Sequence, residues 1–342
     1  MNDAKTRVIE QEKFANEAML LCDGAQTPSG PFSLGDDNAF KAWRDHKLEN
    51  FPVCADELVV EVANPAQPTE RETEAIRSRI QRAGMALYVG PTGVIDVDEA
   101  KHTVRAIGTH FGMTRLDQNP YADEDAITPL HVAAGADRLE TGRKLYIPYT
   151  SRAINWHTDG YYNTPDRRIR GMILHCVRQA GTAGGENALF DPEMAYLLMR
   201  EHDPDMVRAF AAMDAMTIPG NDMDADVERG DVSGPVFSLN RADRTLYMRY
   251  TARQKNIVWA KDDATARAVA FMQDLLSGEG DGAKYIFTHR MEPGQGLICN
   301  NVLHTRTAFE DNDEDLGSRM MLRARYLDRV SGSANPTTGE LE

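Results

Sequence analysis

The feature that most limits what this chain can fold into is a succession of short apolar runs after about residue 125. They are Leu145-Tyr-Ile, Gly171-Met-Ile-Leu-His-Cys-Val, Ala188-Leu-Phe, Leu246-Tyr-Met-Arg-Tyr, Tyr285-Ile-Phe, Gly296-Leu-Ile-Cys and Met321-Leu-Arg-Ala-Arg-Tyr-Leu, separated by Gly, Pro and Asp turns. Runs too short to be buried helices, spaced by turn residues, specify a sandwich or barrel of strands. Upstream, Glu57-Leu-Val-Val-Glu-Val and Met85-Ala-Leu-Tyr-Val read as strands. Helices are expected over 69–83, opened by a Thr69/Glu72 cap, and over 96–111, 192–202 and 263–276. The expected class is mainly β with flanking helices.

Composition narrows the function classes. The chain has 342 residues, with 38 Lys and Arg against 53 Asp and Glu, a formal charge of −15. A groove that tracks phosphates needs the opposite surplus, so no nucleic-acid partner is expected. No run approaches the roughly 18 apolar residues of a membrane span. The charged start has no apolar core, unlike a secretory signal. Cys22, Cys54, Cys176 and Cys299 form no CxxC pair, which argues for reduced thiols in a cytoplasmic protein rather than a disulfide framework. Residues 1–55 read as a polar N-terminal extension that Phe40, Trp43 and Phe51 can dock, 56–330 as a single domain with helical insertions, and 331–342 as a flexible tail. The acidic stretch 220–232 reads as a solvated loop, with a lid as the alternative.

Four segments carry chemistry. Asn155-Trp-His-Thr-Asp holds a His-x-Asp; on a strand, His157 and Asp159 share a face and can grip one divalent ion. With nine histidines and 53 acids, chance supplies about one such pair, so this signal is weak alone. His304 follows the Gly-Leu-Ile-Cys run and is expected at the end of that strand; two imidazoles and one carboxylate suit a facial triad. In Ser318-Arg-Met-Met-Leu-Arg-Ala-Arg-Tyr, Arg319, Arg323 and Arg325 fall on one face of a strand, where an anionic ligand or surface acids must meet them. Gly181-Thr-Ala-Gly-Gly-Glu-Asn is a tight turn with polar groups able to hydrogen-bond a carboxylate.

The order of these segments resembles the taurine dioxygenase/TfdA family of Fe(II)- and 2-oxoglutarate-dependent oxygenases, from about residue 57 to 330. Asn155-Trp-His-Thr-Asp is similar to that family's metal-binding segment and Gly184-Gly-Glu-Asn-Ala-Leu-Phe to its Gly-Gly-Asp-Thr-Leu turn. Asn301-Val-Leu-His-Thr-Arg-Thr-Ala-Phe resembles the γ-butyrobetaine hydroxylase branch. The resemblance implies a distorted double-stranded β-helix, or jelly roll. It also implies iron on His157, Asp159 and His304, 2-oxoglutarate as co-substrate with Arg319 on its distal carboxylate and Arg323 nearer the metal, and O2. Asn187 stands where the family carries a Thr that contacts the co-substrate. Ala153 and a Phe111–Arg115 stretch without histidine argue against taurine. The implied reaction hydroxylates a C–H bond of a small polar molecule and yields succinate.

For the substrate two classes stay open, a quaternary ammonium caged by tyrosines or a small organic anion, with Tyr149, Tyr161, Tyr162 and Arg325 as candidate contacts. Tyr146, Arg152, Arg168 and Arg170 belong to the same wider set. A homo-oligomer is expected from the resemblance. A non-oxidative zinc or manganese enzyme, or a degenerate ligand-binding module on the same scaffold, is the alternative.

Overall fold

Alternation of side chains with period two builds the core of the protein. Its structure, a computed structural model, describes residues 29–91, 96–118, 123–132, 147–181, 183–220, 230–240, 243–253, 255–310 and 319–334. In chain order the described strands are β1 (Val59–Glu61), β2 (Met85–Val89), β3 (Thr128–His131), β4 (Ile154–His157), β5 (Gly171–Arg178), β6 (Asn187–Phe190), β7 (Met216–Ile218), β8 (Val232–Gly234), β9 (Phe237–Leu239), β10 (Leu246–Met248), β11 (Val258–Trp259), β12 (Phe287–His289), β13 (Gln295–Cys299), β14 (Leu303–Arg306) and β15 (Met320–Tyr326). The largest sheet runs β1-β2-β13-β5-β15-β3, and a second runs β12-β6-β14-β4. Only β1 and β2 pair in parallel in the first; its other pairings are antiparallel. Strands β11-β7-β8 and the pair β10-β9 make smaller sheets.

The large sheet is buried on both faces, which is why its strands read as nearly continuous apolar runs. Met172, Leu174 and Cys176 of β5 join Leu87, Leu297 and Met321 in a core shared with Leu189, Leu303 and Phe287 of the second sheet. Ile173 and Val177, one residue out of phase, join Leu322, Ala324 and Tyr326 in a separate core on the opposite face. Helices α2 (Glu70–Ala83) and α3 (Val97–His110) close that side with Ile76, Ile80, Val104 and Ile107. The result is a distorted jelly roll with helices outside, the fold the resemblance implied, where the strand pattern alone specified a sandwich or barrel.

Local signals account for the helix ends. Thr69 and Glu72 form the expected capping box, with Glu72 accepting from Thr69 N at 2.7 Å, and α2 stops at Gly84 with φ 72°. Asp96 caps α3. Two further helices match the sequence reading, α4 (Pro192–His202) and α6 (Asp263–Leu275); α5 (Pro204–Phe210) between them was not anticipated. Glu57 and Leu58 lie in a 3-10 turn and only Val59–Glu61 is strand, so the expected strand is shorter. Leu145 and residues 221–229 of the acidic stretch lie outside the described residues.

The described part of the lead-in is an integral layer. Helix α1 (Asp37–Asn50) turns Phe40, Trp43 and Lys47 inward. That is helical spacing with a lysine in an apolar position, which hides the helix from a hydrophobicity pattern. The Lys47 ammonium sits between Asp191 at 2.6 Å and Glu193 at 2.9 Å. Burial opposes its charge, but those carboxylates outweigh burial and raise its pKa. Trp43 packs edge-on against Phe32 and Tyr196, and Arg200 bonds the Pro31 and Ser33 carbonyls. At the other end Ser333 is buried and accepts from Asn300 Nδ2 at 3.0 Å, so the chain is tied down beyond Val330. Residues 335–342 lie outside the described set.

His175 lies in the helix-covered core, 2.8 Å from the Tyr88 hydroxyl, and burial pushes its pKa down to about 4. The unfolded chain takes up this proton near pH 6.5 and the folded chain only near pH 4, so stability falls as pH is lowered across that window. The shift corresponds to roughly 3 kcal/mol. Urea unfolding from pH 7 to 4 should show this slope, and His175→Gln should flatten it; an unchanged slope in the variant would assign the effect to other groups.

Candidate active site

Three side chains from two segments far apart in sequence meet at the second sheet. His304 of β14 lies directly opposite His157 of β4 in the antiparallel register. Their rings are 4.2 Å apart between centroids. Ligand-capable atoms of His157, Asp159 and His304 all lie within 4.8 Å of one another. The local geometry differs from the expected strand pair. His157 ends β4 while Asp159 lies in the following turn, and His304 occupies a strand of its own after a turn at 300–302.

The surroundings fix each member. His157 Nδ1 donates to Asn155 O and His304 Nδ1 to Val302 O, both at 2.9 Å; a carbonyl only accepts, so Nδ1 carries the proton and each Nε2 keeps a lone pair. Burial, with the neighbouring His304 second, pushes His157 down to about 3, and burial lowers His304 too. Both rings are therefore neutral near pH 7. Burial disfavours the charge on Asp159, but Arg323, His304 and Arg325 overcome it and hold the carboxyl below its ordinary range. Arg323 Nη1 is 3.3 Å from Asp159 Oδ1, while Oδ2 is buried with no hydrogen-bond partner. Two neutral imidazoles with free Nε2 atoms and a carboxylate with an unsatisfied oxygen suit a divalent transition metal such as iron.

Asn301, overlooked in the sequence, clamps this arrangement. Its Oδ1 accepts from Asp159 N at 2.8 Å, and its Nδ2 donates to Asp159 O at 3.0 Å and Ile169 O at 2.6 Å. It is buried with φ 53°. Asparagine tolerates that conformation better than most residues, so the Asn300-Asn301 pair after an apolar strand was the available signal. Trp156 is anchored by Nε1 donating to Leu276 O at 2.9 Å.

Beside the triad, Arg319 lines a small cavity with Asn187, Gly184, Gly185 and Arg290. Gly184 (φ 84°) pairs with Phe309, and a Cβ on it would fall 2.1 Å from Ala308 O; only glycine allows this approach. Asn187 Nδ2 donates to Thr305 O at 2.7 Å, tying the turn to the strand that carries His304. Arg306 and Arg319 each lie 5.0 Å from the Phe309 ring centroid.

The remaining candidates fall into two groups. Arg325 is buried and engaged by the protein itself: Nη2 pairs with Asp117, and Nη1 donates to Tyr162 Oη at 2.9 Å. Its guanidinium is thus held by two partners within the fold. Tyr161 is buried edge-on to His157 and to Tyr162, with the Arg253 guanidinium 5.4 Å from its ring centroid. Tyr149 is half-buried in a 3-10 turn whose backbone carbonyls accept from Arg306. Tyr146 lies outside the described residues, Arg152 is exposed, Arg168 stacks on Tyr247, and Arg170 pairs with Asp243.

A family model described as "Taurine catabolism dioxygenase TauD, TfdA family" matches residues 47–325, and the chain belongs to that family. Among curated proteins, a uridine-5'-phosphate dioxygenase from Amycolatopsis sp. is 31% identical over 184 residues, 52% of this chain and 62% of that protein. Similar solved structures include an asparagine oxygenase in complex with Fe(II), 2S,3S-3-hydroxyasparagine and succinate, with TM-score 0.50 at 15% identity over 84% of this chain and 92% of that one. The non-heme iron oxygenase OrfP with Fe and alpha-ketoglutaric acid gives TM-score 0.50 at 14% identity over 84% of this chain and 90% of that one. At such identity the likeness establishes the fold, the jelly roll of iron and 2-oxoglutarate oxygenases.

Asn301→Ala leaves Asp159 N and two backbone carbonyls buried without partners, so a loss of about 2–4 kcal/mol is expected in urea unfolding. A loss below about 0.5 kcal/mol would mean that other groups satisfy them.

Proposed function

We propose that this chain is an Fe(II)- and 2-oxoglutarate-dependent dioxygenase that hydroxylates a C–H bond of a small anionic molecule. 2-Oxoglutarate and O2 are consumed; one oxygen atom enters the substrate as hydroxyl, the other enters succinate, and CO2 leaves. The observation that carries this reading is the pair of Nδ1-tethered, neutral histidines converging with a buried, half-unsatisfied aspartate, beside a cavity lined by arginine. Family membership supports the same class.

In this reading His157, Asp159 and His304 would hold the metal, which would supply the activation of O2. The chain's residues do the positioning. The two backbone carbonyls keep each imidazole in the one tautomer that can ligate. Arg323 holds Asp159 ionised and fixes its Oδ1, so Oδ2 is the oxygen left for the metal. Arg319 receives the distal carboxylate of 2-oxoglutarate, with the Gly184-Gly185 turn giving it room and Asn187 closing the cavity.

Between the two substrate classes, the charges favour the anion. A quaternary ammonium needs an open aromatic face, whereas a guanidinium already lies over Tyr161. Arg253 is exposed and Arg323 lies beside the triad. The name of the Amycolatopsis relative points the same way, to a phosphorylated small molecule. Tyr162, steadied by Arg325, is the candidate hydroxyl contact.

His304→Ala and Asp159→Ala should each reduce Fe(II) binding from one per chain to none and cut succinate formation more than about a hundredfold. A screen of anions, uridine-5'-phosphate among them, against betaines should stimulate succinate release with the anions only. Metal binding without succinate from any substrate would instead favour non-oxidative chemistry, and a fully active His304→Ala protein would end the proposal.

A further inference from the structure

Two guanidinium groups, not one, line the cavity beside the triad, and among its described lining residues there is no carboxylate. Arg319 enters from the start of β15. Arg290 enters from the opposite side, directly after β12, where the pairing sets His289 against Asn187. Nothing in the sequence pattern singles out Arg290. Its Nη2 donates to Ala180 O at 2.9 Å and Gly181 O at 2.5 Å, which orients the guanidinium plane. Its Nε is shut off from solvent and has no hydrogen-bond partner among the described residues. Glu292, the nearest acid in sequence, is exposed and does not line the cavity.

A buried N–H without an acceptor is costly, and two cations in one small cavity repel. Asn187 cannot relieve this. One of its amide hydrogens is engaged by Thr305 O, and an amide carries no charge. The other polar side chains lining the cavity are Gln179 and the Cys176 thiol, which burial pushes up to about 12 and so keeps neutral; Glu186, within electrostatic reach of Arg290, does not line it. The buried Arg290 Nε–H therefore lacks an in-plane acceptor, which a carboxylate entering the cavity would supply.

We propose that Arg290 is a second binding residue for the distal carboxylate of the co-substrate, acting opposite Arg319 and making the cavity select a dicarboxylic over a monocarboxylic 2-oxo acid. This rests on the oxygenase reading above. Arg319 alone would satisfy one edge of the carboxylate; Arg290 Nε–H meets the other, and the Ala180 and Gly181 carbonyls keep it from turning away.

The test is equilibrium binding by calorimetry to the Mn(II)-loaded protein without O2, so that no turnover contributes. 2-Oxoglutarate is compared with 2-oxopentanoate, the same five-carbon chain without the distal carboxylate. Arg290→Gln should weaken 2-oxoglutarate binding about tenfold or more and leave 2-oxopentanoate unchanged. Arg290→Lys keeps the charge, loses the fork and should fall between, and it serves if the Gln variant does not fold. An equal loss for both keto acids would make Arg290 a scaffold for residues 180–181, and no loss for either would leave Arg319 as the whole site; each overturns the assignment. A wild-type protein that binds neither keto acid would instead remove the oxygenase reading, and this inference with it.

Discussion

The antiparallel pairing of β14 with β4 is the contact on which the site depends. It sets His304 opposite His157, and a one-residue slip of either strand would turn an imidazole to the other face. The register is held from several directions at once. Tyr250 O accepts from Thr158 N at 3.0 Å, Ala252 N bonds Trp156 O at 2.8 Å, and Asn301 ties the turn before His304 to the backbone of Asp159. Two segments distant in the chain thus become one rigid unit.

Around that unit the protein gathers an unusual density of buried cation. Arg306 is buried against the carbonyls of Pro148 and Thr150, and burial, with Arg319 nearby, pushes its pKa down to about 9. Arg325 is neutralised by Asp117, and Arg323 by Asp159. Guanidinium is weakly hydrated and planar, so it tolerates burial against carbonyls and Phe309 better than an ammonium would. The means of compensation differ: Arg323 and Arg325 are paired with carboxylates, while Arg306 meets carbonyls and the Phe309 ring.

Opposite faces of β15 show how one strand serves both structure and chemistry. Leu322 and Ala324 pack under the helices, and Arg323 and Arg325 point into the space between the sheets. Burying the apolar face against α2 and α3 fixes the strand, and the same pleat then dictates where every guanidinium emerges. The N-terminal layer works by a different principle. There Lys47 and Arg200, long side chains with charged ends, are locked by carboxylates and carbonyls of α4 and the residues before α1.

Much of this was written locally. Short apolar runs marked the main strands of the large sheet, the Thr69/Glu72 pair marked a helix start, and the residues of the triad stood out by type and order. The alternation also told which residues of β15 share a face. What the sequence could not convey depends on contacts between distant segments. Asp159 lies in a turn and not on a strand, α1 hides a lysine in its buried stripe, and Arg325 faces Asp117 instead of an open site. Asn301 and Arg290 owe their roles to partners more than a hundred residues away, which no local pattern encodes. Side-chain type and spacing set what each segment can do, because periodicity and capping act within a few residues. Register and burial decided what it meets, because they are fixed only when the sheets close.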